Sequence, residues 1–157
     1  GILLGALVGA VGGDMIRGAH GITVQADMPD TLFADAAPEM IILPGGMPGS
    51  KHLDESRTVD TAIKAALRSD AYIAAICAAP MVLGKRGYIQ GKSAVCFPGF
   101  EEFLTGAHIE SEKTVVRDGN IITAKGMGAA FDFGLELVRC FKDDGTAEKI
   151  KSSVFAK

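Results

Sequence analysis

No block of like charge interrupts this sequence. Lys and Arg number 16 and Asp and Glu 19 among 157 residues, a net charge of −3, and five or six charges of one sign never run together. That balance argues against a nucleic-acid partner and against a polybasic membrane contact. Long apolar runs are missing too. The longest, Ile2 to Val11, is about half the roughly 20 residues a membrane-spanning helix needs. It has no basic segment before it, so it predicts a buried strand and no membrane partner. Cysteine is scarce, and Cys77, Cys96 and Cys140 form an odd, widely spaced set, which argues against a disulfide framework and for a reducing, cytoplasmic setting. There is no internal repeat, low-complexity tract or linker. Gly1 to Lys157 therefore reads as one domain, of a size that buries a proper core.

Glycine, by contrast, is abundant: 20 residues, nearly twice the usual share of roughly 7%. Short apolar runs alternate with helical periodicity, the pattern of parallel strands joined by helices. Strands are predicted at Ile2 to Val8, Ile22 to Ala26, Met40 to Leu43, Tyr72 to Ile76 and Ser93 to Phe97. Val59, Ile63, Ala66 and Leu67 lie on one helical stripe and predict a crossover helix covering a sheet face. Thr114 to Arg117 and Ile121 to Ala124 flank Asp118-Gly119, a dipeptide suited to a tight hairpin, and predict the one antiparallel element. Phe131, Leu135 and Val138 with Phe133, Leu137 and Phe141 predict a deeply packed helix, and Ala147, Ile150 and Val154 a short terminal one.

Chemistry concentrates at Ala74-Ala75-Ile76-Cys77-Ala78-Ala79-Pro80, where an apolar strand runs into small residues and then a helical segment, Met81 to Lys85. Such a turn exposes the residue at the bend, and the new helix aims free N–H groups and its positive dipole end at that residue. A thiol there should lose its proton more readily. On local pattern alone, Cys77 is equally compatible with a small buried hydrophobe. The balance shifts with Leu43-Pro44-Gly45-Gly46, whose bare glycines at a strand's carboxyl end let backbone N–H groups approach a ligand, where open parallel sheets bind theirs. Gly46 and Ala78 could both aim N–H groups at one oxyanion beside the Cys77 sulfur, though two glycines alone can also be a simple turn.

These stretches, with Pro98-Gly99-Phe100-Glu101 and Gly126-Met127-Gly128-Ala129, resemble the ThiJ/PfpI superfamily, in the branch of the DJ-one deglycases and their bacterial relatives. The likeness runs in order from Gly1 to about Phe141. It implies a flavodoxin-like three-layer α/β sandwich with a mostly parallel sheet, a homodimer, and a reactive cysteine at a nucleophile elbow, here Cys77. It also implies a cofactor-free glyoxalase or deglycase acting on methylglyoxal, glyoxal or early glycation adducts, or alternatively a non-enzymatic oxidative-stress sensor or chaperone working through oxidation of the same cysteine. By the same resemblance Gly46 and Ala78 supply oxyanion N–H groups, Gly45, Gly126 and Gly128 border the pocket, and Arg17 reaches the neighbouring site near the dimer interface. Arg17 is otherwise an ordinary surface arginine.

Three departures qualify the likeness. Relatives in this branch carry a glutamate, on a first strand-helix unit, that hydrogen-bonds the nucleophile. Gly1-Ile2 aligns after that unit, so the central first strand is expected to be missing, to come from a separate N-terminal fragment or a longer chain, and the sequence as it stands is expected to be weakly active or inactive. Peptidase-like members place histidine directly after the cysteine, where this chain has Ala78, and none of His20, His52 and His108 has a spacing that replaces that base. Met127 stands where relatives commonly have proline. The Gly45 to Lys51 stretch is no phosphate loop, because Ser50 takes the place of the glycine before lysine. No dinucleotide fingerprint or metal-ligand spacing appears, and Cys96 and Cys140 read as core residues.

Overall fold

The computed structural model describes residues 8–32 and 37–156. Its centre is a four-stranded sheet of β5 (Met40–Leu43), β6 (Tyr72–Ile76), β10 (Ile121–Ala124) and β9 (Val115–Asp118), in that order. The first three run parallel and β9 closes the sheet antiparallel. Near-continuous apolar strands of this kind need cover on both faces. Successive residues supply it by pointing to opposite sides: Ile73, Ala75 and Ile121 enter one core, Ala74, Ile122 and Ala124 the other.

The first core lies under α1 (Gly49–Glu55), α2 (Arg57–Arg68) and α3 (Pro80–Lys85). As the stripe predicts, Ile63 and Ala66 of α2 are buried, with Val59 and Leu67 packed beside them. The helix starts at Ser56, whose hydroxyl accepts the Val59 N–H at 3.2 Å. The second core lies under α4 (Ala130–Phe141), which buries Phe133 and Leu135 and packs Leu137 against the sheet. Its packing is shallower than predicted, because Phe131 turns partly outward. In α5 (Asp144–Ser153) only Ala147 is buried, and Ile150 and Val154 face solvent.

The hairpin forms as expected, with Gly119 at φ +64° in first central position of the turn and Asp118 already paired to Ile121. Other strands differ from expectation. Ile2 to Ala6 and Leu7 lie outside the described residues; Val8 precedes a short β1 (Gly9–Ala10), parallel to β4 (Met28–Pro29). The Ile22 to Ala26 strand shortens to β3 (Thr23–Gln25). It pairs antiparallel with β2 (Met15–Arg17) in a ribbon outside the main sheet, a second antiparallel pair. Ser93 to Phe97 holds a ladder only at β7 (Ser93–Ala94), against β8 (His108–Ile109), because beyond it Val95 N–H donates to the Thr123 hydroxyl and Phe97 N–H to Cys77. The outer edge of β5 has no partner strand among the described residues.

Candidate active site

At the carboxyl end of β6 the chain turns sharply on Cys77, whose φ of +65° is unusual for a residue with a side chain. Such a conformation costs on the order of 1–3 kcal/mol and persists only where its surroundings enforce it. Here both peptide groups of the cysteine are held. Its N–H donates to Ala124 C=O at 2.9 Å, and its C=O accepts from Phe97 N–H at 2.8 Å. The helical turn then begins at once, with Ala79 N–H donating to Ile76 C=O at 3.1 Å and Pro80 opening α3, where its missing N–H costs nothing. Cys77 is left half-buried at the bend.

Gly45 shows why the opposing loop must be bare. A Cβ there would lie 2.5 Å from Cys77 Cβ, 2.6 Å from Ile76 O and 3.4 Å from Ala78 N. Gly46 follows at φ +92°, and its C=O accepts from Ser50 N–H at 2.8 Å, fastening the loop to the start of α1. Among the described residues, neither the Gly46 N–H nor the Ala78 N–H donates to a protein acceptor, although Ala78 is only 2% exposed. A buried donor left unpaired costs roughly 1–3 kcal/mol. Ala78 N–H is such a donor, whereas Gly46 is exposed, on the loop whose Gly45 closes against Cys77.

The other two thiols are held in their protonated form by burial. Burial, with the Glu101 and Cys77 charges, pushes Cys96 up to about 11. Burial also raises Cys140, against the opposing pull of Arg117. Both pack in the core as expected, Cys96 fully and Cys140 partly.

Gly126 and Gly128 line an open cavity of about 310 Å³ with Phe97, Pro98, Thr114, Lys125, Met127 and Ala129. A Cβ on Gly126 would come within 3.2 Å of the Phe97 ring. Phe97 and Lys125 were not singled out from the sequence: Phe97 read as a strand end, and its role depends on the hydrogen bond to Cys77. Arg17 is exposed on the β2–β3 ribbon with its guanidinium beside Gly21, and no described contact joins it to the elbow. His20, His52 and His108 are all exposed. Among the described residues no group of three His, Cys, Asp or Glu side chains could hold a metal ion, and no helix is long and apolar enough to cross a membrane.

The DJ-1/PfpI family model matches residues 5–140. The chain belongs to the DJ-1/PfpI family. It is 36% identical over 135 residues to Drosophila melanogaster dj-1beta, covering 83% of this chain and 71% of that protein. To the Parkinson disease protein 7 homolog of Danio rerio it is 33% identical over 135 residues, covering 82% and 71%. Isonitrile hydratase of Pseudomonas putida is 31% identical over 125 residues, with 78% of this chain and 54% of that protein aligned. The crystal structure of Drosophila DJ-1beta superposes with a TM-score of 0.91 at 29% identity, covering 96% of this chain and 82% of that one. A DJ-1/PfpI chain thus has the flavodoxin-like α/β fold that its strand pattern and motifs imply.

Proposed function

We propose that this DJ-1/PfpI chain is a cofactor-independent thiol enzyme of the glyoxalase or deglycase type, with Cys77 as nucleophile. The observation that carries the reading is the pair of unpaired N–H groups, Gly46 and Ala78, flanking a half-exposed cysteine held at positive φ. The thiol would add to the aldehyde carbon of an α-oxoaldehyde, forming a C–S bond while the carbonyl π pair moves onto oxygen, where the two N–H groups stabilise it. Protonation gives the hemithioacetal. Transfer of the hydrogen with its electron pair from the former aldehyde carbon to the adjacent carbonyl carbon, the hemithioacetal hydroxyl giving up its proton and the new alkoxide taking one, yields a thioester, which water cleaves to the 2-hydroxy acid and free thiol. In the deglycase form the thiol would take the place of the amine or thiol of a hemiaminal or hemithioacetal adduct, the C–N or C–S bond of the adduct breaking and the freed amine or thiol leaving with a proton.

Among the described residues no carboxylate hydrogen-bonds the Cys77 sulfur, so proton transfer would pass through water and turnover is expected to be slow. The test is lactate formation from methylglyoxal by the protein and by Cys77→Ser. Loss of at least tenfold in the variant supports the enzyme. Equal, slow rates overturn it and favour a sensor whose Cys77 is oxidised beside the same N–H groups.

A further inference from the structure

The cavity beside the elbow bears on which carbonyl compound the site takes. Its walls are tied to the nucleophile from both sides. Phe97 donates its N–H to Cys77 C=O, and Gly126 follows two residues after Ala124, which accepts the Cys77 N–H. The cavity is thus walled by the segments whose main chain holds Cys77 in place, although Cys77 itself is not part of its lining.

The lining is apolar in a way that discriminates. Phe97, Pro98, Met127 and Ala129 contribute hydrocarbon and Gly126 and Gly128 no side chain, and the polar members are the exposed Thr114 and the half-buried Lys125, whose Nζ donates to Ser111 C=O at 2.7 Å. Against the hydrocarbon walls a charged or strongly polar substituent would lose water with only Thr114 and the already bonded Lys125 to replace it. An aromatic ring would lose nothing. Size points the same way, since about 310 Å³ lies at the lower bound for pockets that hold whole organic ligands, roughly 300 Å³, and far exceeds what a methyl group fills. Phe97 is 42% and Met127 86% exposed, leaving in water the surface such a ring would cover.

We infer that the preferred substrates are α-oxoaldehydes bearing an aromatic or bulky apolar substituent, with Phe97 and Met127 as the specificity-determining side chains. The inference rests on Cys77 being the nucleophile. Its test compares kcat/KM for phenylglyoxal and methylglyoxal in the protein and in Met127→Asp, a change at so exposed a side chain that folding is preserved. In parallel, Cys77 alkylation by N-phenylmaleimide and by N-ethylmaleimide is timed in both proteins, with glutathione as the reference thiol.

The phenylglyoxal preference is expected to exceed tenfold and to fall about tenfold in Met127→Asp, the scale on which apolar pockets discriminate. The phenyl-to-ethyl labelling ratio should exceed that of glutathione and fall in the variant. Absence of turnover on both aldehydes overturns the enzymatic reading alone, and the labelling ratio then decides the groove. A labelling ratio equal to that of glutathione and unmoved by the substitution overturns the inference. So does a Met127→Asp effect on sedimentation only, which would assign the groove to a second copy.

Discussion

At the residue scale the site rests on positions where one added atom matters. Gly45→Ala would place a methyl 2.5 Å from Cys77 Cβ and 2.6 Å from Ile76 O, both on backbone-anchored atoms that cannot yield. The variant is expected to label at Cys77 at least tenfold more slowly with iodoacetamide, and unchanged labelling would show that the loop can move aside. Ser50 presents the opposite case. Its hydroxyl is fully buried and without a partner among the described residues, so Ser50→Ala removes a desolvated polar group and is expected to add about 1 kcal/mol to stability, read from urea unfolding midpoints. The elbow was legible in the sequence because small residues, a cysteine and a following proline leave a strand only one way to turn. Phe97 was not, because its contribution comes from a main-chain hydrogen bond made across the fold, which no side-chain pattern records.

At the element scale, α3 carries the elbow and α1 follows the Gly45–Gly46 loop, and a polar clamp joins the two. The Arg86 guanidinium bonds both the carboxylate and the carbonyl oxygen of Asp54 and meets Asp60 at 3.0 Å, while Lys85 reaches Asp54 at 3.0 Å and Tyr88 donates its hydroxyl to Asp60 at 2.7 Å. Burial alone would raise Asp54, but Lys85 and Arg86 outweigh it and hold the carboxyl below 3.8. Bonds from Lys64 and Tyr88 hold Asp60 low in the same way, and burial followed by Asp60 pushes Tyr88 up to about 12. In the folded state the two carboxyls thus bind protons more weakly than in the unfolded chain, so their contribution is complete above about pH 4 and lost as pH falls through the depressed values. Tyr88 binds its proton more tightly than a free phenol near 10, so its share is present below that pH and lost as pH rises toward 12. Arg86→Met is expected to cost about 2 kcal/mol at neutral pH and to flatten the acid limb, measured as urea midpoints at about pH 3, 5 and 7; an unchanged acid limb would remove the clamp from the account. None of this could be read from sequence, since Asp54, Asp60 and Arg86 sit among ordinary surface charges there. The hairpin and the α2 stripe could, because a turn dipeptide and a helical period are local.

At the scale of the whole molecule, the layered sheet followed from alternating apolar strands and helical stripes, whereas the β2–β3 ribbon did not. Ile22 to Ala26 has the apolar content of an interior strand, yet the structure places it where Met15, Ile22 and Val24 are each more than half exposed. A two-stranded ribbon is marginal in water on its own, and this one adds exposed apolar side chains to that weakness. A second copy of the chain burying the Ile22 and Val24 side of the ribbon would cover that weakness, while Met15 and Arg17 point to the opposite side. We therefore expect a homodimer, with an interface approaching the roughly 800 Å² per partner typical of stable complexes. Val24→Asp puts a charge in the middle of that face without touching either core, so sedimentation velocity at micromolar concentration should show the dimer mass for the protein and the monomer mass for the variant. A monomeric parent, or a variant that still sediments as a dimer, would place the contact elsewhere and leave the ribbon's exposed side chains facing solvent.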